Sequence, residues 1–230
     1  MTFETTRLLL RPWCESDAES CYRYARDPFV GPAAGWPAHT SVENSREIIR
    51  TVLSEPDTFA VILKERPDEP VGSIGVFPTE APEIGSEPEI GYWIGRPFWG
   101  QGLIPEAVRE LLRYCFEDKD AQRVWCSHYA GNEKSKRVIE KCGFSYELTC
   151  ERPALVDDAL RPALFYVLTK EKWEKTLDRC ICMRYNPTIK NQTAMKETST
   201  PRFQPERHGR RLRAMRGNPA GGKNTLEPVR

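Results

Sequence analysis

Two glycines and a proline stand at the mouth of an apolar helical stretch, in the run Trp99-Gly100-Gln101-Gly102-Leu103-Ile104-Pro105. A helix N-terminus carries unpaired backbone N–H groups and the positive end of its dipole. Glycines just before it remove Cβ atoms, so an anion can come close to those N–H groups. Pro105 suits the first turn, where its missing N–H is not needed. The run therefore suits a phosphate or pyrophosphate, and a tight strand-to-helix turn without a ligand explains it equally well. It is not a GxxxxGK[ST] loop, because no GK[ST] follows. Nor is it GxGxxG, because Pro105 holds the third glycine position.

The elements that must position this loop are legible on either side. Residues 89–95, EIGYWIG, read as a strand, and alternation puts Glu89, Gly91 and Trp93 on one of its faces. After the loop, Ala107, Val108, Leu111, Leu112 and Cys115 share one helix face, with Arg109, Glu110 and Arg113 opposite. A strand at 123–130 follows, then a helix at 132–144. Asn132 is a strong cap at its start, and Gly143 at its end suits a left-handed turn.

Upstream, 7–13 reads as a strand. Ser16 with Glu19, and Thr40 with Glu43, match capping boxes that open two helices, the second carrying Ile48, Ile49, Val52 and Leu53 as its stripe. Residues 59–65 and 71–77 read as a hairpin. Two closing strands end near Trp173. The pattern predicts an α/β unit: a mixed, mainly antiparallel, twisted sheet of six or seven strands flanked by about four helices.

The expected domain covers residues 1–174. Residues 175–230 hold 13 of the 34 Lys/Arg but only 4 of the 33 Asp/Glu, a net +9 that leaves −8 on residues 1–174. This tail lacks apolar periodicity and is rich in Pro, Gly, Thr and Asn, so disorder is expected there. Its cluster Arg210, Arg211, Arg213 and Arg216 suits RNA or an acidic surface, and a merely solvated tail explains it as well. No apolar run is long enough for a membrane span. The polar start lacks the apolar stretch of a signal peptide, so the cytoplasm is the expected compartment. Eight cysteines scattered through apolar runs read as reduced thiols, and Cys180-Ile181-Cys182 lacks metal-knuckle spacing. No metal is expected.

Taken in order, ETTRLLLRPW, GYWIGRPFWGQGLIPEA and NEKSKRVIEKCGF resemble the GNAT superfamily of acyl-CoA-dependent N-acyltransferases, most closely its RimJ/RimL-like branch. The resemblance covers roughly residues 3–173. It implies acetyl-CoA as acyl donor, with Gly100, Gln101, Gly102, Leu103 and Ile104 as the pyrophosphate loop. In the superfamily register, Trp99 replaces a polar first position and Ile104 a small last one. The resemblance also implies that strand 89–95 splays from strand 123–130. The pantetheine arm is then expected to pair with backbone groups of Trp93, Ile94 and Gly95, as an added strand does. Asn132 is implied to touch the arm or the acyl end, and Ser135 to return a proton to the leaving thiolate. The tyrosine acid many members carry seven residues after the asparagine is absent, since that position is Ile139. Trp36 and His39 fall where the branch places a substrate-facing loop, although Trp36 packing over the helices fits equally.

The implied reaction is acyl transfer to a primary amine, such as a protein N-terminus or a small amine, by direct attack without a covalent enzyme intermediate. An ammonium of pKa ~10 must first lose a proton. Glu89 is the first candidate acceptor of that proton, with a solvated strand-start charge as its alternative and His128 as another relay. Backbone N–H groups of 93–95 are expected to stabilise the thioester oxygen. The alternative function is a catalytically silent CoA-binding module that the basic tail tethers to RNA or a ribosome.

Overall fold

The computed structural model describes residues 1–79 and 81–176. The expectations for the basic tail lie outside the described residues. The strands are β1 (Phe3–Glu4), β2 (Leu8–Arg11), β3 (Thr58–Leu63), β4 (Pro70–Pro78), β5 (Pro88–Ile94), β6 (Arg123–Tyr129), β7 (Ser145–Pro153) and β8 (Leu160–Thr169). The α-helices ahead of the last strand are α1 (Ala18–Ala25), α2 (Val42–Ile48), α3 (Leu103–Arg113) and α4 (Glu133–Lys141). Among the described residues the strands form one sheet, in the order β1-β2-β3-β4-β5-β6-β8-β7. Neighbours are antiparallel except β5 and β6, which run parallel. The α/β, mainly antiparallel expectation holds. The strand beyond the expected seven is β1, whose two residues are too few to show a period. The last strand stops at Thr169, and residues 170–176 are helical, so the closing strand is shorter than the apolar pattern suggested.

Alternation in the strands sorts the core into two layers. Leu8, Leu10, Val61, Ile74 and Ile90 pack on one face with Val108, Leu111 and Leu112 of α3 and Ile139 of α4. Ala60 and Ile62 point to the opposite face and meet Cys21 and Ala25 of α1, Ile49 and Trp13. Leu111 is fully buried, which contributes roughly 2 kcal/mol relative to exposure. On β5, Ile90 and Ile94 join the α3/α4 layer, while Trp93 packs with the α1/α2 layer.

Both expected capping boxes are displaced. Before α1, the Asp17 carboxylate accepts the Cys14 N–H at 2.9 Å, and Arg11 holds both its oxygens at 2.7 and 2.8 Å. That tertiary pair fixes the turn two residues earlier than Ser16. At α2, Ser41 Oγ accepts the Asn44 N–H at 3.0 Å, one residue later than Thr40. The helix continues as a wider turn over Ile49–Leu53, which leaves Ile49 buried and Val52 exposed.

Candidate active site

Strands β5 and β6 pair at one point, Glu89 with Trp125, and diverge beyond it. The expected splay is therefore present. Gly95 donates its N–H to the Val71 carbonyl at 2.8 Å, which turns its backbone toward β4. Alternation along the ladder then directs the amides of Tyr92 and Ile94 into the opening. Of the three residues expected to offer free backbone groups, Gly95 is engaged within the sheet and Trp93 shares its orientation. The Ile94 carbonyl accepts the Trp99 indole N–H at 2.9 Å, so its N–H is the group that remains for a ligand. Tyr92, whose amide shares that direction, was missed, although strand alternation alone points to it.

At the mouth of this opening lies the glycine loop. Gly100 and Gly102 adopt left-handed backbone angles, with φ of 76° and 73°. A Cβ at Gly100 would meet nothing within 4 Å, and one at Gly102 only Arg7 Nη2 at 3.7 Å. Glycine is thus demanded by the turn, and the space beside the loop is open. The first intrahelical donor of α3 is Glu106, which gives its N–H to the Gly102 carbonyl. The amides of residues 100–104 donate to no group among the described residues. The side chains of Leu103 and Ile104 are buried in the core, so these residues offer only backbone. Arg7 braces the loop from behind, donating to the Gln101 carbonyl at 2.9 Å and to Glu106 Oε2 at 2.7 Å. Lys134 of α4 sets its ammonium 3.7 Å from the centre of the Trp99 ring. A cradle of unspent amides, open space and a nearby cation fits a diphosphate.

Asn132 caps α4 by accepting the Ser135 N–H at 3.1 Å, and its amide donates to the Ala33 carbonyl at 2.9 Å, tying α4 to the loop 30–39. Ser135 Oγ lies 2.9 Å from the Tyr92 hydroxyl. Burial holds the Tyr92 phenol well above its ordinary pKa, so it stays a neutral donor.

Glu89 sits on the other face of β5, 5% exposed. Its Oε1 accepts Ser127 Oγ at 2.5 Å and Arg152 Nη1 at 2.9 Å. Its Oε2 accepts no hydrogen bond among the described residues. His128 belongs to the opposite layer, donating from Nδ1 to the Tyr129 carbonyl at 2.9 Å and meeting the Tyr166 ring at a tilt, with centroids 5.5 Å apart. The geometry separates His128 from Glu89.

Trp36 meets Trp93 edge-on at 5.7 Å and the His39 ring at 5.3 Å. His39 is buried, with Nδ1 2.8 Å from Ser45 Oγ, and burial pushes its pKa down to about 4. Both residues line the large cleft of about 2460 Å³, together with the glycine loop, Glu89 and Ser135. The six described cysteines are free; Cys126 is buried and its thiol is held well above the ordinary pKa by desolvation, far from a thiolate nucleophile. Among the described residues no helix is long and apolar enough to cross a membrane.

A sheet split between two parallel strands, with an amide-lined loop at the split, is the architecture of an acyl-CoA-dependent transferase. Residues 7–145, more than half of the chain, match the family model described as "Acetyltransferase (GNAT) domain", and the chain belongs to the GNAT acetyltransferases. Among curated relatives, YdaF of Bacillus subtilis (strain 168) is 37% identical over 92 residues, covering 40% of this chain and 50% of that protein. The "Uncharacterized N-acetyltransferase p20" of Bacillus licheniformis is 32% identical over 151 residues, covering 64% of this chain and 83% of the other. The "[Ribosomal protein uS5]-alanine N-acetyltransferase" of Escherichia coli (strain K12) is 27% identical over 84 residues, covering 36% and 43%. The matched part thus spans about half the length of YdaF and less of the uS5 enzyme. A solved acetyltransferase of the GNAT family from Bacillus anthracis shares the fold, with a TM-score of 0.63, 24% identity, and coverage of 74% of this chain and 99% of that one. The RimJ/RimL-like expectation agrees with these relatives, and the silent-module alternative gains no support from them.

Proposed function

We propose that the protein transfers an acetyl group from acetyl-CoA to a primary amine, by direct attack while both substrates are bound. The observation that carries the reading is the single Glu89–Trp125 pairing followed by divergence, with unspent amides at the mouth of the gap. Acetyl-CoA supplies the acetyl group as a thioester. The amides of Gly100, Gln101, Gly102, Leu103 and Ile104, at the positive end of α3, hold its diphosphate. The amides of Tyr92 and Ile94 direct the pantetheine arm and polarise the acetyl oxygen. Asn132 shapes the entry by fixing the first turn of α4.

The acceptor approaches from the α1/α2 face, past Trp36 and His39. Glu89 takes a proton from the ammonium through Oε2, the oxygen its neighbours leave available. On the opposite face, Ser135 gives its Oγ proton to the departing sulfur and is reprotonated by the second proton, which the amine nitrogen sheds through the gap as the C–N bond forms and the C–S bond breaks. Two proton-handling groups on opposite faces of β5, joined through the gap, suit a reaction in which one proton is removed and another delivered. The uS5 relative supports a protein N-terminus, including a ribosomal one, among the amines to be tried, and the cytoplasm as the setting. The test is thiol release from acetyl-CoA with a panel of N-terminal peptides, amino acids and polyamines. Release that depends on one class of amine supports the reading. Calorimetry showing no acetyl-CoA binding, together with no release from any amine, overturns it.

A further inference from the structure

The β4–β5 register places Phe77 opposite Glu89, Gly75 opposite Gly91 and Ser73 opposite Trp93. All six share the face of the sheet that carries α1 and α2. Toward the Ser73 end that face is covered: Trp13 donates its indole N–H to Ser73 Oγ at 3.1 Å and stacks on Trp93. Toward the Glu89 end the face opens into the cleft, and Phe77 is 38% exposed there.

Between these ends lie two glycines side by side. Neither has a positive φ, so the backbone at each accepts any residue. A strand glycine costs roughly 0.5–1 kcal/mol relative to alanine, so a different demand must account for the pair. The demand is visible in the Phe77 ring. A Cβ on Gly75 would meet Phe77 Cζ at 2.5 Å, and one on Gly91 would meet Cε2 at 3.2 Å. The glycines let the ring fold back flat along the sheet. Its outer surface then forms an apolar plate over Gly75 and Gly91, one cross-strand step from Glu89, because directly opposite residues have Cβ atoms roughly 5 Å apart.

We propose that this plate, with Gly91 beside it, is the slot that receives the group next to the acceptor's amine, and that Phe77 sets the size limit for that group. This rests on Glu89 as the group that deprotonates the acceptor. An amine held at Glu89 carries its first carbon substituents over Phe77 and Gly91. The preferred acceptors are therefore amines whose amine-bearing carbon carries a small group. Branched or aromatic groups meet the ring.

The test uses glycinamide, alaninamide, valinamide, phenylalaninamide and linear alkylamines with the full chain and acetyl-CoA. Phe77→Ala is expected to raise kcat/KM for phenylalaninamide relative to alaninamide by about tenfold or more, the scale of hydrophobic pocket discrimination. Gly91→Ala, whose Cβ meets only the Phe77 ring, is expected to lower the same ratio severalfold. Calorimetric affinity of phenylalaninamide for the CoA-loaded protein should follow the same order, and thermal melting shows that both variants fold. Turnover with an unchanged ranking in both folded variants overturns the slot and leaves the acetyl transfer standing. No turnover by the unaltered protein with any amine overturns both.

Discussion

The hydroxyl of Tyr92 on β5 and the hydroxyl of Ser135 in the first turn of α4 stand 2.9 Å apart across the opening between the strands. Tyr92 is kept neutral by burial, so it donates its hydrogen to Ser135 Oγ or, at 3.3 Å, to the Ser135 carbonyl. When Oγ accepts that hydrogen, Ser135's own hydrogen is free to point into the gap. Ser135→Ala removes the proton donor and is expected to lower kcat about a hundredfold. Tyr92→Phe removes only the orientation and is expected to lower kcat about tenfold with KM for acetyl-CoA unchanged. Steady-state kinetics with a thioester of an acidic aromatic thiol gives the check, because that leaving group needs no proton and should erase both defects.

Glu89→Gln keeps the shape and an oxygen acceptor for Ser127 and Arg152 but cannot take a proton. Its kcat/KM is expected to fall by 10²–10⁴. The fall should be smaller at high pH, where more of the amine is already neutral. Loss of the charge facing Arg152 is expected to cost about 1 kcal/mol in urea unfolding. Activity equal to that of the unaltered protein at neutral pH would move the proton acceptor elsewhere.

The parts of this site that local chemistry determines were legible in the sequence. The Gly100–Gly102 turn, the apolar face of α3, the Asn132 cap and the Gly143 stop with φ of 90° each depend on residues within one or two turns. The parts set by distant partners were not. Alternation placed Glu89 on one face of β5 with Gly91 and Trp93, but Arg152 reaches it from β7, whose register with β8 slips between Tyr146 and Leu148. The α1 cap moved because Asp17 answers to Arg11. Free backbone was expected at Gly95, yet only the β4 pairing reveals that Val71 takes its N–H.

Gly102 tests the diphosphate cradle, provided strain is separated from charge. Any side chain at φ 73° costs about 1–2 kcal/mol, so Gly102→Glu both strains the turn and adds a negative charge. Gly102→Gln carries the same strain without the charge. The two variants are expected to melt alike. The Glu variant should bind acetyl-CoA at least about tenfold more weakly than the Gln variant, with the gap shrinking as salt rises. Equal affinities in calorimetry would remove the loop as the diphosphate site.

His39 gives the fold a pH dependence of definite sign. Its ring is enclosed by Trp36, Ser45 Oγ at 2.8 Å and Cys21 Sγ at 3.9 Å, and burial lowers its pKa to about 4. In the unfolded chain the value is ~6.5. Between those values the unfolded chain binds a proton that the folded chain refuses, so stability rises with pH across this window. As pH falls from ~6.5 toward ~4, up to about 3 kcal/mol of stability is lost through this residue. His39→Asn keeps a polar group near Ser45 and removes the titration. The stability advantage of the unaltered protein over this variant, measured by urea unfolding, should shrink by that amount from pH 7 to pH 4, because the shared carboxylates cancel in the difference. A difference that stays constant with pH would mean that His39 is solvated and protonates freely, which would also place its ring in the acceptor's path instead of behind Trp36.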